Sequence, residues 1–163
     1  MLKNKNILNL NNQLNLEKYS SNLYLQMSAW CEIENFKNAS IFFKKNSKEE
    51  LEHMEKIFNY LCDINILPII NSNIKIKTNF NSLLDVFKYA YKNEIKNTYN
   101  INLISDFSFK NKDFKTFHFL SWYILKQKDE EKILKTILEN LKFFNYNKKN
   151  MLMFDNLFLS KYI

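Results

Sequence analysis

The sequence predicts an all-α chain: a four-helix bundle with one long crossover between the second and third helices and a short fifth helix at the C-terminus. Three observations predict it. Apolar residues recur at helix spacing in four stretches of about 30 residues each. Glycine is absent and proline occurs once, at Pro68, which removes the usual residues of phosphate loops, nucleophile elbows and tight hairpins. The connections between the four stretches are short, long and short. With 163 residues, 46% of them apolar, the chain has the mass for one core, and residues 1–163 are read as a single domain.

The first helix is expected over about residues 5–34 and the second over about 38–64. The third spans about 82–109 and the fourth about 113–142, with the fifth over about 148–160. Asn38 and Asp113 are expected N-caps, and Ser82 with Asp85 resembles a capping box. Ser47 and Glu50 fit the same pattern, but apolar periodicity runs through them, so no helix starts there. The links near 35–37 and 110–112 are short enough to make each flanking pair an antiparallel hairpin. The stretch 66–81, extended at ~3.3 Å per residue, reaches about 53 Å and returns along a helix of ~40 Å. The third helix therefore starts parallel to the second. That stretch carries Ile66, Leu67, Ile69, Ile70, Ile74 and Ile76, so it is expected to pack on a surface, such as one between subunits.

The inward stripe of each helix is interrupted near its midpoint. The first reads Leu10, Leu14, Glu17, Ser21, Tyr24, Ser28, Cys31, and the second Ala39, Phe43, Asn46, Glu50, His53, Ile57, Tyr60, Ile64. The third reads Phe87, Tyr91, Glu94, Thr98, Ile101, and the fourth Leu120, Tyr123, Gln127, Glu130, Leu134, Ile137, Leu141. A bundle brings Glu17, Glu50, His53, Glu94, Gln127 and Glu130 to one level. One helical glutamate is ordinarily solvated, but four helices with the anomaly at one depth resist that explanation. Buried acids without basic partners repel and raise one another's pKa, and a multivalent cation removes the conflict. Carboxylates with one imidazole suit iron or another first-row divalent metal, and Glu50 and His53, at i and i+3, share a helix face.

The net charge of +7 comes from lysine alone, since arginine is absent. Bidentate recognition of phosphate and bases leans on arginine, so the charge alone proves little and a nucleic acid partner is not expected. Two cysteines, Cys31 and Cys62, are too few for a disulfide framework. Both lie in helical stretches, where a thiol packs as a small hydrophobe, and reduced thiols imply the cytoplasm. No apolar run is long enough to span a bilayer, so no membrane role is expected.

The residues resemble the bacterial non-haem ferritins over about 11–157. The resemblance is dense in LNLEKYSSNLYLQMSAWC (14–31), KEELEHMEKIFNYL (48–61) and FHFLSWYILKQKDEEKI (117–133). It implies the ferritin-like bundle and a ferroxidase oxidising Fe(II) with dioxygen. The ferric mineral would be stored inside a hollow homo-oligomeric shell of twenty-four subunits. By resemblance, Glu17, Glu50 and His53 form the first iron site. Glu50 bridges to a second completed by Glu94 and Glu130, with Gln127 alongside and Tyr24 and Trp122 as neighbouring aromatics. The Gln127 and Glu130 pair differs from the second Glu-x-x-His of bacterioferritins. Leu51 also stands where those proteins carry their haem-binding methionine, so no haem is expected. A third iron site would use Glu49, Asp129 and Glu130, but Lys126 puts an ammonium among them, and this site should be weaker. Lys44, Lys45, Lys48 and Lys128 add positive charge nearby.

His118 lies off the stripe and reads as structural or exposed. Met27, Met54, Met151 and Met153 read as gap-filling, and Glu52, Glu55 and Glu131 as solvated. Two other functions compete. One is a DNA-protecting miniferritin-like protein, suggested by the lysine-bearing residues 1–6. The other is a non-cage di-iron oxidoreductase on the same bundle.

Overall fold

The computed structural model describes residues 2–72, 75–144 and 147–163, with side chains from Lys5 onward. Its helices are α1 (Leu2–Ile33), α2 (Lys37–Asp63), α3 (Leu83–Lys110), α4 (Phe114–Leu141) and α5 (Lys148–Leu157), followed by a 3-10 turn, Leu159–Tyr162. Of residues 1–6, raised as a DNA-binding terminus, Met1 and the side chains of 2–4 lie outside the described residues.

Ser21 meets Ser47 and Ser28 meets Ser40, so α1 and α2 run antiparallel. Asn6 reaches Ser108 while Tyr24 reaches Glu94, so α1 is antiparallel to α3 as well. It follows that α2 and α3 are parallel, as the long crossover requires. Each short link closes the preceding helix with a residue in the left-handed region, where glycine is usual. Lacking glycine, the chain uses Asn35 (φ 68°) and Lys112 (φ 58°), and Asn65 (φ 58°) does the same after α2. Phe36 N–H donates to Cys31 O at 2.8 Å, Ile66 N–H to Leu61 O at 2.9 Å and Asp113 N–H to Ser108 O at 2.9 Å, which satisfies the last carbonyls.

Ser82 and Asp113 cap α3 and α4 as expected, accepting from Asp85 N at 3.1 Å and Thr116 N at 3.2 Å. Asn38 does not cap α2: it lies inside the first turn, and Phe36 holds the cap position without a side-chain hydrogen bond. The capping group comes from α5 instead. Asp155 accepts from Asn38 N at 3.0 Å and Ala39 N at 2.7 Å. A buried carboxylate at a helix N-terminus does the work of a local cap and also fastens α5 to the bundle.

The core divides into two apolar clusters. One gathers Leu23, Met27, Phe43, Phe87, Ile137 and Phe154 toward α5. The other gathers Leu10, Leu14, Ile57, Leu61, Ile101 and Leu120 toward the opposite end. Between them lies the level of Glu17, Glu50, Glu94 and Glu130. Hydrophobic burial, at ~1.5–3 kcal/mol for each large side chain, therefore holds the helices together on both sides of a polar layer.

The crossover is fastened to α1 by carboxamides. Ile69 N–H donates to Asn11 Oδ1 at 2.7 Å, Asn15 Nδ2 donates to Ile69 O at 2.8 Å, and Asn71 N–H donates to Asn15 Oδ1 at 2.8 Å. Lys18 Nζ adds a bond to Asn71 O at 3.0 Å. Ile66 and Ile76 pack against the two clusters. Leu67, Ile69 and Ile70 are exposed on the single chain, with Leu67 83% exposed, so their expected packing is not met within one subunit. Ile74 lies outside the described residues. Cys31 is buried but Cys62 is exposed, contrary to the expectation for both. Cys62 follows the fully buried Leu61, and one residue turns a helix by about 100°. His118, Glu52 and Glu55 are exposed, and among the described residues no helix is long and apolar enough to cross a membrane.

Candidate metal centre

Each long helix delivers its interrupting residue to the interior: Glu17 from α1, Glu50 and His53 from α2, Glu94 from α3, and Gln127 and Glu130 from α4. All six are buried. Five of them, all but Gln127, form two groups with one shared member, Glu50. Ligand atoms of Glu17, Glu50 and His53 lie within 4.8 Å of one another, as do those of Glu50, Glu94 and Glu130. His53 Nδ1 stands 3.6 Å from Glu17 Oε2 and 3.8 Å from Glu50 Oε2, and its Nε2 stands 3.9 Å from Glu130 Oε1.

These distances exceed hydrogen bonds, and most of the atoms concerned make none elsewhere. Glu17 Oε2, Glu50 Oε2, His53 Nδ1 and both oxygens of Glu130 are buried without a hydrogen bond. Buried polar atoms are ordinarily paired, so such a concentration marks a place prepared for something else. Burial pushes the Glu50 carboxyl well above the usual range, and the charges of Glu94 and Glu17 push it further. Burial, with the charge of Glu94, raises Glu130 to about 9. Glu94 is raised by burial despite hydrogen bonds that favour its ionised form. Two divalent cations would neutralise the repelling charges and occupy the open ligand atoms. Hard carboxylate oxygens with one imidazole suit iron or another first-row divalent metal.

Neighbours orient the acids. Tyr24 hydroxyl donates to Glu94 Oε1, and Gln127 Nε2 donates to Glu94 Oε2 at 2.9 Å and to Thr98 Oγ1 at 3.2 Å. Gln127 thus directs its nitrogen at a carboxylate, while its oxygen is unpartnered. Trp122 is half-buried with its ring 5.6 Å from that of His53. Of the residues expected at a third site, Asp129 is exposed and Glu49 is half-buried. Lys126 sits between Glu49 and Glu130, its Nζ 2.9 Å from Glu49 Oε2 and 3.7 Å from Glu130 Oε1.

Two polar contributors escaped the sequence reading. Tyr123 lies on the α4 stripe and reads as core, yet its buried hydroxyl has no hydrogen-bond partner and its ring is 5.4 Å from that of His53. Burial, followed by the charges of Glu17 and Glu50, holds its hydroxyl well above the usual tyrosine range. Gln13 donates through Nε2 to Glu17 Oε1. The i, i+4 spacing of Gln13 and Glu17 was the signal available for it.

A family model described as a ferritin-like domain matches residues 7–144. The bacterial non-heme ferritin of Shigella flexneri is 43% identical over 141 residues, covering 86% of each chain. A probable bacterial non-heme ferritin-like protein of Haemophilus influenzae is 39% identical over 146 residues, covering 90% of this chain and 88% of that one. Among solved structures, an open pore ferritin from Archaeoglobus fulgidus superposes with a TM-score of 0.89 at 29% identity, covering 93% of this chain and 94% of that one. On the family match and these relatives together, the chain belongs to the ferritin family.

Proposed function

We propose that this chain is an iron-storage subunit. It oxidises Fe(II) with dioxygen at the four-helix carboxylate centre and holds the ferric product inside a hollow homo-oligomeric shell of twenty-four copies, in the cytoplasm and without haem. In this reading the whole chain acts as one domain. Glu17, Glu50 and His53 hold one iron, and Glu50, Glu94 and Glu130 hold the other. The observation that carries the reading is Glu50, whose buried carboxylate belongs to both ligand groups and keeps an unpartnered oxygen.

Iron is substrate here, and it supplies the electrons that reduce dioxygen. The protein's part is positional. Tyr24 and Gln127 fix the direction of Glu94, Gln13 fixes that of Glu17, and the apolar clusters on either side limit water. Carboxylates ionised by metal neutralise the positive charge gained on oxidation. The lysines of α2 and α4 favour oxidation at this centre over capture at a third site.

Anaerobic titration with Co(II), then Fe(II) with oxygen uptake, tests the reading. Two ions per wild-type chain are expected, and Glu50→Ala should lose both tight sites and slow oxygen uptake by about a hundredfold. Equal behaviour of the two proteins would remove the reading. Light scattering should give a shell, whereas a monomer would favour the non-cage oxidoreductase.

A further inference from the structure

The centre is approached from two sides, one lined by charged side chains of both signs and the other by neutral ones. Between α2 and α4 a pocket of about 490 Å³ sets Lys45, Lys48, Lys56 and Lys126 with Glu49 and Glu52 around His53, and a smaller one of about 220 Å³ reaches Glu94 and Glu130 past Lys126 and Asp129. Between α1 and α3 a groove of about 110 Å³ has no charged residue in its lining; Asn9, Asn12, Gln13 and Asn100 provide its polar groups. Gln13 is 1% exposed and joins this groove to the centre. One arm of its carboxamide donates to Glu17, and the other, Oε1, is buried with no hydrogen-bond partner.

The polar character continues along the same seam. Asn93 and Asn97 both donate to Ser20 Oγ, at 2.8 and 3.1 Å, and Asn97 Oδ1 has no partner. A seam between two packed helices is ordinarily apolar, and burying carboxamides there is unfavourable unless something uses them.

We propose that the α1–α3 groove is the entrance by which divalent metal reaches the centre, with Gln13 passing the ion to Glu17. This rests on the iron-storage reading above. A hydrated divalent cation exchanges water for carboxamide oxygens readily because both are hard, neutral donors. On the α2–α4 side Glu49, Glu52 and Asp129 offset part of the lysine charge, but the Lys126 ammonium stands in the approach, 3.7 Å from Glu130 Oε1. At Gln13 the cation meets an oxygen that nothing else occupies, on a residue already bonded to the first carboxylate of the centre.

The test is stopped-flow mixing of the metal-free assembled protein with Co(II) under anaerobic conditions, followed by Co(II) absorbance. Asn12→Lys with Asn100→Lys should slow association by about tenfold or more. The number of ions bound at equilibrium should stay unchanged, and circular dichroism should confirm the fold. Gln13→Met should slow association similarly. Lys45→Gln with Lys48→Gln and Lys56→Gln should leave the rate within about twofold, because these lysines do not line the route. An unchanged rate in the asparagine variant, or a marked acceleration in the lysine variant, overturns the proposal and assigns the entrance to the α2–α4 side. Wild-type protein that binds no Co(II) at all would instead remove the metal centre itself.

Discussion

Lys126 bridges the α2–α4 gap to Glu49, Nζ to Oε2 at 2.9 Å, and the same ammonium stands 3.7 Å from Glu130 Oε1. Partial burial alone would lower the lysine's pKa. The hydrogen bond to Glu49 and the charge of Glu130 outweigh it and hold the group above its usual value, so it stays charged. A tethered cation thus occupies the ground between two acids that could otherwise share a metal.

Lys126→Glu removes that cation and adds a ligand. The variant should bind one more Co(II) per chain than wild type under anaerobic titration, with a changed ratio of oxygen consumed to iron oxidised and altered mineral growth. Identical stoichiometry, oxygen ratio and core growth in the two proteins would show that the ammonium has no such influence.

Removing metal should make stability fall with rising pH. In the metal-free fold, burial raises Glu130 to about 9 and also raises Glu50 and Glu94, whereas an unfolded chain has ordinary carboxylates near 4.5. Between those values the folded state binds more protons than the unfolded one, so the stability of the fold decreases as pH increases. The thermal midpoint of chelator-treated protein should drop from pH 5 to pH 9 by several degrees. Saturation with Co(II) should reverse the slope over the lower part of this range, because metal binds the ionised acids.

The bundle was legible because four apolar stripes, two short links and one long link leave few topologies. The centre was legible because Glu17, Glu50, Glu94 and Glu130 each break a stripe at the same depth. What was hidden depends on tertiary partners. Asn38 has a capping residue's chemistry, but the carboxylate that caps α2 is Asp155, 117 positions away in sequence. Asn11 and Asn15 hold the crossover through backbone bonds that no periodicity reveals. Tyr123 looked like core because a tyrosine's ring and hydroxyl give one letter for two roles.

Asp155→Ala should destabilise the chain by about 2 kcal/mol, toward the upper end for a lost cap, since two backbone donors, one buried and one half-buried, lose their acceptor together. Both bonds, at 3.0 and 2.7 Å, would go at once. Urea unfolding checks the size. Asp155→Asn, which keeps one acceptor oxygen, should lose less, and equal losses for the two variants would argue against capping.

Lys112→Gly should stabilise the α3–α4 link. Lys112 closes α3 at φ 58° with its N–H bonded to Phe109 O at 3.0 Å. A side chain with a Cβ pays ~1–2 kcal/mol in that conformation. Glycine does not, but it costs about 0.5–1 kcal/mol in added freedom of the unfolded chain. The difference favours glycine by roughly 0.5–1 kcal/mol, seen as a higher urea midpoint with an unchanged slope. Asn35→Gly, at φ 68°, should gain less because asparagine already tolerates the left-handed region. A larger gain at Asn35 than at Lys112 would mean that strain at these closures is not what limits the links.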